Sequence, residues 1–253
     1  DTLASALLAN GQRLVGRSFK YHRPRGIVTC GSEEPNALVT VARGLAREPN
    51  SRATMLPLYD GLVAMPQNAW PSLKCDALAI NDVLAPFLSA GFYYKTFMWP
   101  RKFWEWVYEP AIRRAAGLGA LSTRYDDEIY EKAYAHCDVL IIGAGPSGLM
   151  AALTAGRAGL DVILADEHDQ LGGRLLSEME YIDGMPAVAW VQAVLAELSG
   201  LASVRIMANT TVTGAYDQGV FGALERVGPG LQAIPDGLPR ETFWRIYTKG
   251  AIL

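Results

Sequence analysis

The chain has 253 residues, half of them hydrophobic, and a formal net charge of −3 at pH 7. This length holds one large domain or two ordinary ones, and the small negative charge argues against nucleic acid or an anionic membrane as a partner. The cysteines Cys30, Cys75 and Cys137 form no CxxC motif and no disulfide framework, so we expect a reducing, cytoplasmic setting. No run of about eighteen uncharged apolar residues is present, so we expect no membrane span.

The first 67 residues predict a small α+β domain. Asp1 or Thr2 can cap a short helix, Leu3 to Asn10, because both side chains accept hydrogen bonds from a first helical turn. Strands are predicted at Ala37–Val41 and Ala53–Leu58. The chain begins inside a helical pattern and ends in the middle of a strand pattern, so we expect it to be a piece of a longer protein.

Residues 68–135 predict an irregular connecting arm that is rich in aromatic side chains. Those between residues 87 and 110 include Phe92, Tyr93, Tyr94, Phe97, Trp99, Phe103, Trp104, Trp106 and Tyr108. Aromatic residues dominate interface energetics, so the arm could cover a flavin or a partner subunit, or pack on its own domain. Helical stretches are predicted at Trp104–Glu109 and Ala111–Ala116, and a polar helix at Asp126–Ala135.

A strand, a glycine turn and a helix follow in the order that dinucleotide-binding βαβ units show. The apolar strand pattern from Asp138 to Ile142 is followed directly by a GxGxxG turn made of Gly143, Ala144, Gly145, Pro146, Ser147 and Gly148. A second apolar run, Val162–Ala165, ends at Asp166 and Glu167. The pattern predicts a Rossmann-type domain over residues 136–253.

Each residue of this turn has a physical role in holding a dinucleotide. Gly143 permits a sharp turn, Gly145 has no Cβ to keep the backbone off a pyrophosphate, and Gly148 lets the helix lie close on the sheet. Pro146 is tolerated because first-turn N–H groups lack an intrahelical partner, and the helix start offers such groups to phosphates. The alternative is a glycine-rich turn that binds nothing.

The acid at the end of the second strand is predicted to accept hydrogen bonds from a ribose diol. Alternation along the strand favours Asp166, with Glu167 as the second choice. An acid at this position repels a 2′-phosphate, so NAD or FAD is expected rather than NADP. Further on, Gly172 and Gly173 bring backbone near a ligand and Arg174 could meet a phosphate, although a loop with a surface arginine fits as well.

The remaining elements complete the predicted sheet. They are a helix at Pro186–Ser199, a strand at Val204–Met207, and a meander of Thr210–Tyr216, Val220–Val227 and Thr242–Tyr247 laid over the sheet before Ala251–Leu253 re-enters it. The histidines are predicted to be a surface residue (His22), a residue at the start of a strand (His136) and a loop residue beside the ribose (His168). They are too scattered for a metal site, and we assign no catalytic residue.

Several strings of this sequence resemble the α subunit of heterotetrameric sarcosine oxidase. They are GRSFKYHRPRG at 16–26, EEPNA at 33–37, GFYYKTFMWP at 91–100, YEKAYAHCD at 130–138 and GAYD at 214–217. The resemblance covers the N-terminal part of that subunit. It implies a ferredoxin-like (β-grasp) domain at 1–67, the connecting arm at 68–135 and the dinucleotide-binding α/β domain at 136–253.

The resemblance also carries expectations about cofactors. Relatives of the ferredoxin-like module hold a [2Fe–2S] cluster through several cysteine thiolates, whereas this region has Cys30 alone, followed by Ser32. We therefore expect no iron–sulfur cluster. The resemblance implies that the Rossmann-type site holds NAD, with FAD as the alternative, on the residues from Gly143 to Gly148, on Asp166 or Glu167, and on the residues from Gly172 to Arg174.

In that family the α subunit works with β, γ and δ subunits. The resemblance implies amine oxidation on an FAD in the β subunit, with an FMN at the α–β interface relaying electrons to oxygen. Sarcosine is demethylated to glycine, with hydrogen peroxide and either formaldehyde or methylene-tetrahydrofolate as products. Two alternatives remain: an FAD-dependent reductase subunit of the hydrogen cyanide synthase or opine oxidase kind, and a non-catalytic nucleotide-binding scaffold.

Overall fold

The computed structural model describes residues 1–43, 46–88, 90–92, 97–116, 119, 122–126, 128–227, 234–235 and 237–253. The described residues form two compact units, one from Asp1 to Asp126 and the other from residue 128 onward. Tyr93 and Tyr94 of the predicted aromatic arm lie outside the described residues. No helix in the described part has both the length and the apolar character that a membrane span requires.

The first unit begins with helix α1 (Leu3–Ala9), which confirms the predicted N-terminal helix. Thr2 is the N-cap: its hydroxyl accepts the Ser5 N–H, and the Ser5 hydroxyl accepts the Thr2 N–H at 3.0 Å. These reciprocal bonds satisfy two backbone donors that a helix start otherwise leaves without a partner.

A three-stranded antiparallel sheet lies beside α1, with β3 in the middle. Its strands are β3 (Leu38–Arg43), β4 (Ala46–Arg52) and β5 (Val63–Pro66), and a separate hairpin pairs β1 (Gly16–Arg17) with β2 (Pro24–Arg25). The predicted strand at Ala37–Val41 is confirmed as β3. Alternate β3 residues, Val39 and Val41, are buried with Ala4 of α1, which gives this unit its apolar core.

The predicted strand at Ala53–Leu58 is wrong. The Ala53 and Leu56 carbonyls accept the N–H groups of Ala4 and Leu3, at 2.9 and 2.8 Å. These backbone groups therefore tie the helix start to the sheet instead of joining a β-ladder. Ala53 and Leu56 are buried within a turn, and a short apolar sequence pattern does not distinguish such a turn from a strand.

His22 was predicted to be a surface residue, and the structure contradicts this. The side chain is fully buried, and its Nδ1 lies 2.7 Å from Asp76 Oδ2. Arg17 donates to the main-chain oxygens of His22 and Leu73 at 2.8 Å or less. The buried cluster holds the β1–β2 hairpin against the loop around Asp76, a contact across more than fifty residues of sequence that local pattern does not reveal.

Glu34 organises the loop that leads into β3. Its carboxylate is almost fully buried and accepts four backbone N–H groups, from Val28 and Thr29 on Oε2 and from Asn36 and Ala37 on Oε1, at 2.7–3.0 Å. Burial alone would raise the pKa of this carboxyl, but the four donors outweigh it and lower the pKa from 4.5 to about 2.

The aromatic arm contains one continuous helical stretch. A π-helical turn (Trp104–Tyr108) runs directly into α3 (Glu109–Ala116), and a short helix α2 (Ile80–Val83) precedes it. Both predicted helical stretches are confirmed, and Pro110 is the second residue of α3. The Phe97 and Tyr108 rings pack 5.2 Å apart, whereas the Trp106 side chain is exposed.

The second unit is built on β6 (Tyr130–Ile142), so the predicted polar helix at Asp126–Ala135 is wrong. From Tyr130 onward this segment pairs in parallel with β13 (Glu241–Ile252). Tyr134 and His136 point to solvent while Ala135 and Cys137 are buried, which is the two-residue period of a strand. Polar residues on the outer face hid this alternation, and the partner strand lies more than a hundred residues away.

Helices and strands of this unit then follow in βαβ order. Their bounds are α4 (Pro146–Arg157), β7 (Val162–Ala165), β8 (Tyr181–Ile182), β9 (Met185–Pro186), α5 (Ala187–Gly200), β10 (Val204–Met207), β11 (Thr210–Tyr216) and β12 (Val220–Arg226). The six-stranded sheet has the order β10-β7-β6-β13-β12-β11, with β10, β7, β6 and β13 parallel. The predicted helix near Pro186–Ser199 and strand at Val204–Met207 are confirmed.

Helices α4 and α5 cover one face of the parallel strands. The buried cluster between them includes Leu149 and Leu153 of α4, Val191 and Leu198 of α5, and Ile141 and Leu164 of the sheet. The carboxyl ends of β6 and β7 meet at one edge of this packed layer, and the glycine turn lies there.

The predicted meander is continuous with the main sheet. The Arg205 guanidinium of β10 lies 4.3 Å from the ring centroid of Trp244 on β13, although two strands separate β10 from β13 in the sheet order. Ile163 and Met207 share a buried cluster with Ala223 of β12. The sheet is therefore strongly coiled, and its antiparallel strands fold over the face that the helices leave open.

We predict that Glu34→Gln weakens the first unit by about 3 kcal/mol at neutral pH, because the shift of the pKa from 4.5 to about 2 measures the preference of the fold for the carboxylate. Since the pKa is lowered on folding, this contribution is present above about pH 4.5 and is lost as the pH falls toward about 2. Hydrogen exchange of the amides at residues 28–37 measures the effect. Exposed Asp60→Asn is the control, and unchanged protection in the Glu34 variant would contradict the assigned role.

Candidate nucleotide-binding site

The turn after β6 requires glycine at its first position. Gly143 has a φ of +99°, which side chains with a Cβ rarely adopt, and its N–H donates to the Ala165 carbonyl at 2.8 Å. The chain thus leaves β6 while still bonded to β7. Ala144, the next residue, is fully buried.

Gly148 is required by the close approach of α4 to the turn itself. A Cβ built on Gly148 would lie 1.8 Å from the Gly143 carbonyl oxygen and 3.5 Å from Ile141 Cγ2 of β6. The role predicted for Gly148, close packing of helix against sheet, is therefore only part of the reason. The nearer obstacle is the backbone of the turn.

Gly145 lies in open space at the start of α4. A Cβ built there has no atom within 4 Å, so protein packing does not explain the glycine. The first intrahelical bond runs from the Leu149 N–H to the Gly145 carbonyl at 2.9 Å, so the N–H groups of Ser147 and Gly148 point out of the helix end. Together with the helix dipole they form a surface suited to a phosphate.

The second glycine segment lies against the first. The Gly172 N–H donates to the Ala144 carbonyl at 2.9 Å, and a Cβ on Gly173 would lie 3.1 Å from the Gly145 Cα. Both glycines have positive φ, +131° and +56°. Two stretches of bare backbone more than twenty residues apart in sequence thus meet at the tip of α4.

Arg174 follows this pair but engages a neighbouring acid. Its Nε donates to Glu178 Oε1 at 2.6 Å, and three-quarters of its side chain is exposed. The structure therefore gives Arg174 a surface ion pair one helical turn away, which raises the pKa of its guanidinium. The predicted phosphate contact would require this pair to break.

Asp166 lies directly after β7 and closes the turn. Its Oδ2 accepts the Ala144 N–H at 2.6 Å, and its Oδ1 accepts the His168 N–H at 2.9 Å and lies 3.2 Å from His168 Nδ1. Burial raises the pKa of this carboxyl, but the hydrogen bonds from His168 and Ala144 outweigh that and leave the pKa below 3.8. Asp166 is therefore a carboxylate that holds the turn in shape.

Glu167 is half-buried, and its main-chain oxygen accepts a hydrogen bond from Arg226 Nη2 at 3.2 Å. Burial lowers the pKa of Arg226, opposed by the nearby Glu241 and Glu167 carboxylates. Sequence reasoning missed both Arg226 and the engagement of Asp166 by Ala144. The one signal in the sequence was a histidine two residues after the acid, where its N–H and ring can reach back to the carboxylate.

The other predicted residues lie outside this cluster. His136 lies within β6 and not at its start, with its ring stacked on Tyr247 at 5.0 Å. Cys137 is buried, and burial raises the pKa of its thiol, so it is not a reactive thiolate. In the described residues, no group of three His, Cys, Asp or Glu side chains is placed to hold a metal ion.

Comparisons with known proteins agree with this geometry. Residues 138–221, which include the glycine turn and both acids, match the model of the FAD dependent oxidoreductase family. Over its whole length the chain is 59% identical to sarcosine oxidase subunit alpha of Rhizobium meliloti and 34% identical to that of Corynebacterium sp. (strain U-96). The resemblance to sarcosine oxidase α subunits is confirmed. The chain spans 26% and 22% of the length of these two sarcosine oxidase subunits.

The fold class is confirmed as well. Residues 1–69 match the model of a 2Fe-2S iron-sulfur cluster binding domain, which is a ferredoxin-type fold, and the Rossmann-type unit follows it. Among solved structures, L-proline dehydrogenase from P. horikoshii matches 99% of this chain and 36% of its own, with a TM-score of 0.55 and 19% sequence identity. At that identity the likeness shows the fold alone.

Residues 1–69 do not carry the ligands that an iron–sulfur cluster needs. A [2Fe–2S] cluster is held by four thiolates, or by two thiolates and two imidazoles. Cys30 is the single cysteine in residues 1–69, and His22, the single histidine there, is bound to Asp76. The residues present do not fit the cluster that the family is named for, and we assign it no role in this chain.

We predict that alanine destabilises the protein at Gly148 but not at Gly145. Gly148→Ala should lower stability by about 1–3 kcal/mol, because its Cβ meets a backbone oxygen that cannot move freely. Gly145→Ala should leave stability within about 0.5 kcal/mol, because its Cβ enters open space at an ordinary φ of −72°. Thermal unfolding of both variants measures this difference. Equal stabilities would show that α4 can shift away from the turn.

Proposed function

We propose that the second unit binds the ADP part of an adenine dinucleotide, in a protein that works as the α subunit of a sarcosine oxidase. The observation that supports this most directly is the open space at Gly145, beside N–H groups that point out of α4. Glycine at a position without packing constraints is explained by a ligand that approaches the backbone.

The chain's own groups suggest how such a ligand is held. The N–H groups of Ser147 and Gly148 and the dipole of α4 would receive the pyrophosphate. Gly172 and Gly173 would let a second stretch of backbone approach the dinucleotide from the other side. Asp166 would offer its remaining acceptor capacity to the adenosine ribose, while its bond to Ala144 keeps the turn in place.

NAD is the nucleotide that we propose first, with FAD as the alternative. NAD is what the resemblance described in the sequence analysis implies, whereas the match to an FAD dependent oxidoreductase model favours FAD. Mass analysis of the nucleotide released on denaturation decides between them. We expect a mass of NAD and no yellow colour, because only a flavin absorbs visible light. A yellow protein that releases FAD would replace NAD by FAD at the same site.

We propose that the complete protein joins β, γ and δ subunits in the oxidative demethylation of sarcosine. With water and oxygen, this reaction yields glycine, formaldehyde and hydrogen peroxide, or delivers the carbon to tetrahydrofolate. The amine-oxidising FAD and an FMN would lie elsewhere in that complex, and the role of this chain is to bind nucleotide and partners. Its described residues contain no nucleophile–base–orienter set that would argue for a reaction on this chain.

A second candidate is an FAD-dependent reductase subunit, which the FAD dependent oxidoreductase match favours. A third is a scaffold in which the nucleotide only stabilises the fold. Turnover of the assembled complex separates them: loss of the nucleotide should abolish electron transfer in a reductase, whereas in a scaffold it should lower thermal stability and leave turnover per folded complex unchanged.

We predict that Gly145→Val abolishes nucleotide occupancy while the chain stays folded, because the branched side chain fills the space that the pyrophosphate would take. The readout is nucleotide released per mole of folded protein. Gly200→Val, at the end of α5 and also in open space, is the matched control and should keep full occupancy. Full occupancy in the Gly145 variant would remove the glycine turn from the proposed site.

We predict that Asp166→Ala weakens nucleotide binding by about 1–3 kcal/mol, the range for hydrogen bonds to a charged acceptor. Calorimetric titration with the nucleotide that the protein releases measures the change. Glu167→Ala is the comparison and should have the smaller effect. A larger loss in the Glu167 variant would make Glu167 the residue that contacts the ribose.

A further inference from the structure

His168 is held in place by two contacts with Asp166 and one with Asn209. Its N–H donates to Asp166 Oδ1 at 2.9 Å, its Nδ1 lies 3.2 Å from the same oxygen, and its carbonyl accepts the Asn209 N–H at 3.0 Å. The backbone is therefore fixed on both sides of the ring. Although the Asp166 side chain is only 12% exposed, the His168 side chain is 47% exposed.

The contact with a carboxylate fixes which ring nitrogen carries a proton. A carboxylate only accepts hydrogen bonds, so Nδ1 of His168 is the protonated nitrogen in both the neutral and the charged ring. Titration then takes place on Nε2, on the side of the ring away from Asp166. Neutral Nε2 accepts a hydrogen bond, and protonated Nε2 donates one and completes a positive charge.

The contacts of Asp166 leave it little capacity for a ribose. A carboxylate has about four acceptor positions, and the Ala144 N–H, the His168 N–H and the His168 ring use three of them. A group that recognises the 2′ position of the ribose must therefore be sought beside Asp166 as well as on it. His168 is the exposed polar side chain that contacts this carboxylate.

We propose that His168 is a specificity-determining residue of the nucleotide site, whose Nε2 faces the 2′ position of the adenosine ribose and makes the rejection of a 2′-phosphate depend on pH. The inference rests on the proposed function, because it places an adenine nucleotide in the site. As imidazolium, His168 attracts a 2′-phosphate. As neutral imidazole, it leaves the negative charge of Asp166 uncompensated and accepts a hydroxyl instead.

The charges around the ring favour a titration in the accessible pH range. The hydrogen bond to Asp166 raises the pKa of His168 above 6.5 against the opposing effect of burial, and Glu167 and Asp169 on the same loop add to the rise. From β12, Arg226 bonds to the main-chain oxygen of Glu167, and Glu241 of β13 lies near Arg226. Because the pKa is raised, the imidazolium persists to a higher pH than in a free histidine and is lost as the pH rises through the folded value.

The test compares ADP-ribose with 2′-phospho-ADP-ribose by calorimetric titration of the protein freed of bound nucleotide. Measurements at about pH 6 and about pH 9 bracket the titration of such an imidazole. For the parent protein we expect the preference for ADP-ribose to be about tenfold larger at the higher pH, since one nearby charge is lost. The 2′-phosphate itself titrates near pH 6, so each value is compared with variants at the same pH.

Three variants make the result specific. His168→Gln keeps a donor for Asp166 but cannot titrate, so the change attributed to His168 should disappear. His168→Lys keeps a positive charge at both pH values, and the preference for ADP-ribose should stay low at both. His136→Gln removes a histidine of the same unit that stacks on Tyr247, and it should behave like the parent.

Two outcomes would overturn the inference, and they are distinguishable. Failure of both ADP-ribose and 2′-phospho-ADP-ribose to bind at any pH would refute the proposed nucleotide site itself. Binding with the same pH dependence in parent and His168→Gln would leave the nucleotide site intact and refute the role of His168.

Discussion

The hydrogen bond from the Ala144 N–H to the Asp166 carboxylate is the contact on which the rest of the second unit's site depends. It joins the turn after β6 to the end of β7, twenty-two residues later in the chain. With it in place, Gly143 keeps its left-handed conformation, α4 approaches the turn at Gly148, and Gly172 bonds to the other side of Ala144. The bare backbone around Gly145 follows from these constraints.

The two units use buried carboxylates in the same physical way. Glu34 collects four backbone N–H groups, and Asp166 collects two together with a histidine ring. In each case hydrogen bonds overcome the cost of burial and keep the pKa low, so a charged side chain fixes an irregular loop. In the first unit this loop lies in a domain of cluster-binding type that lacks the ligands for a cluster. The loop is instead held around the Glu34 carboxylate by four backbone N–H groups.

Local sequence patterns predicted an element correctly wherever the element and its stabilising contacts lie close together in sequence. The N-terminal helix with a cap at Asp1 or Thr2, the glycine turn with α4, and the strand Val204–Met207 were all predicted with nearly the observed bounds. Predictions went wrong where a distant partner decides the conformation. Residues Tyr130–Ala135 form a strand because they pair with β13. His22 is buried because its ring contacts Asp76, and the Ala53 and Leu56 carbonyls accept hydrogen bonds from α1 instead of joining a sheet.

The sequence by itself determined the βαβ order around the glycine turn, the turn itself, the acid after the second strand and the likeness to sarcosine oxidase α subunits. All of these depend on residue types at fixed short spacings, which the backbone translates directly into turns and faces. Only the tertiary structure decided that Asp166 is engaged by Ala144 and His168, that Arg174 is paired with Glu178, and that the sheet coils until Arg205 meets Trp244. Those contacts depend on how distant segments twist and pack, and no local pattern encodes that geometry.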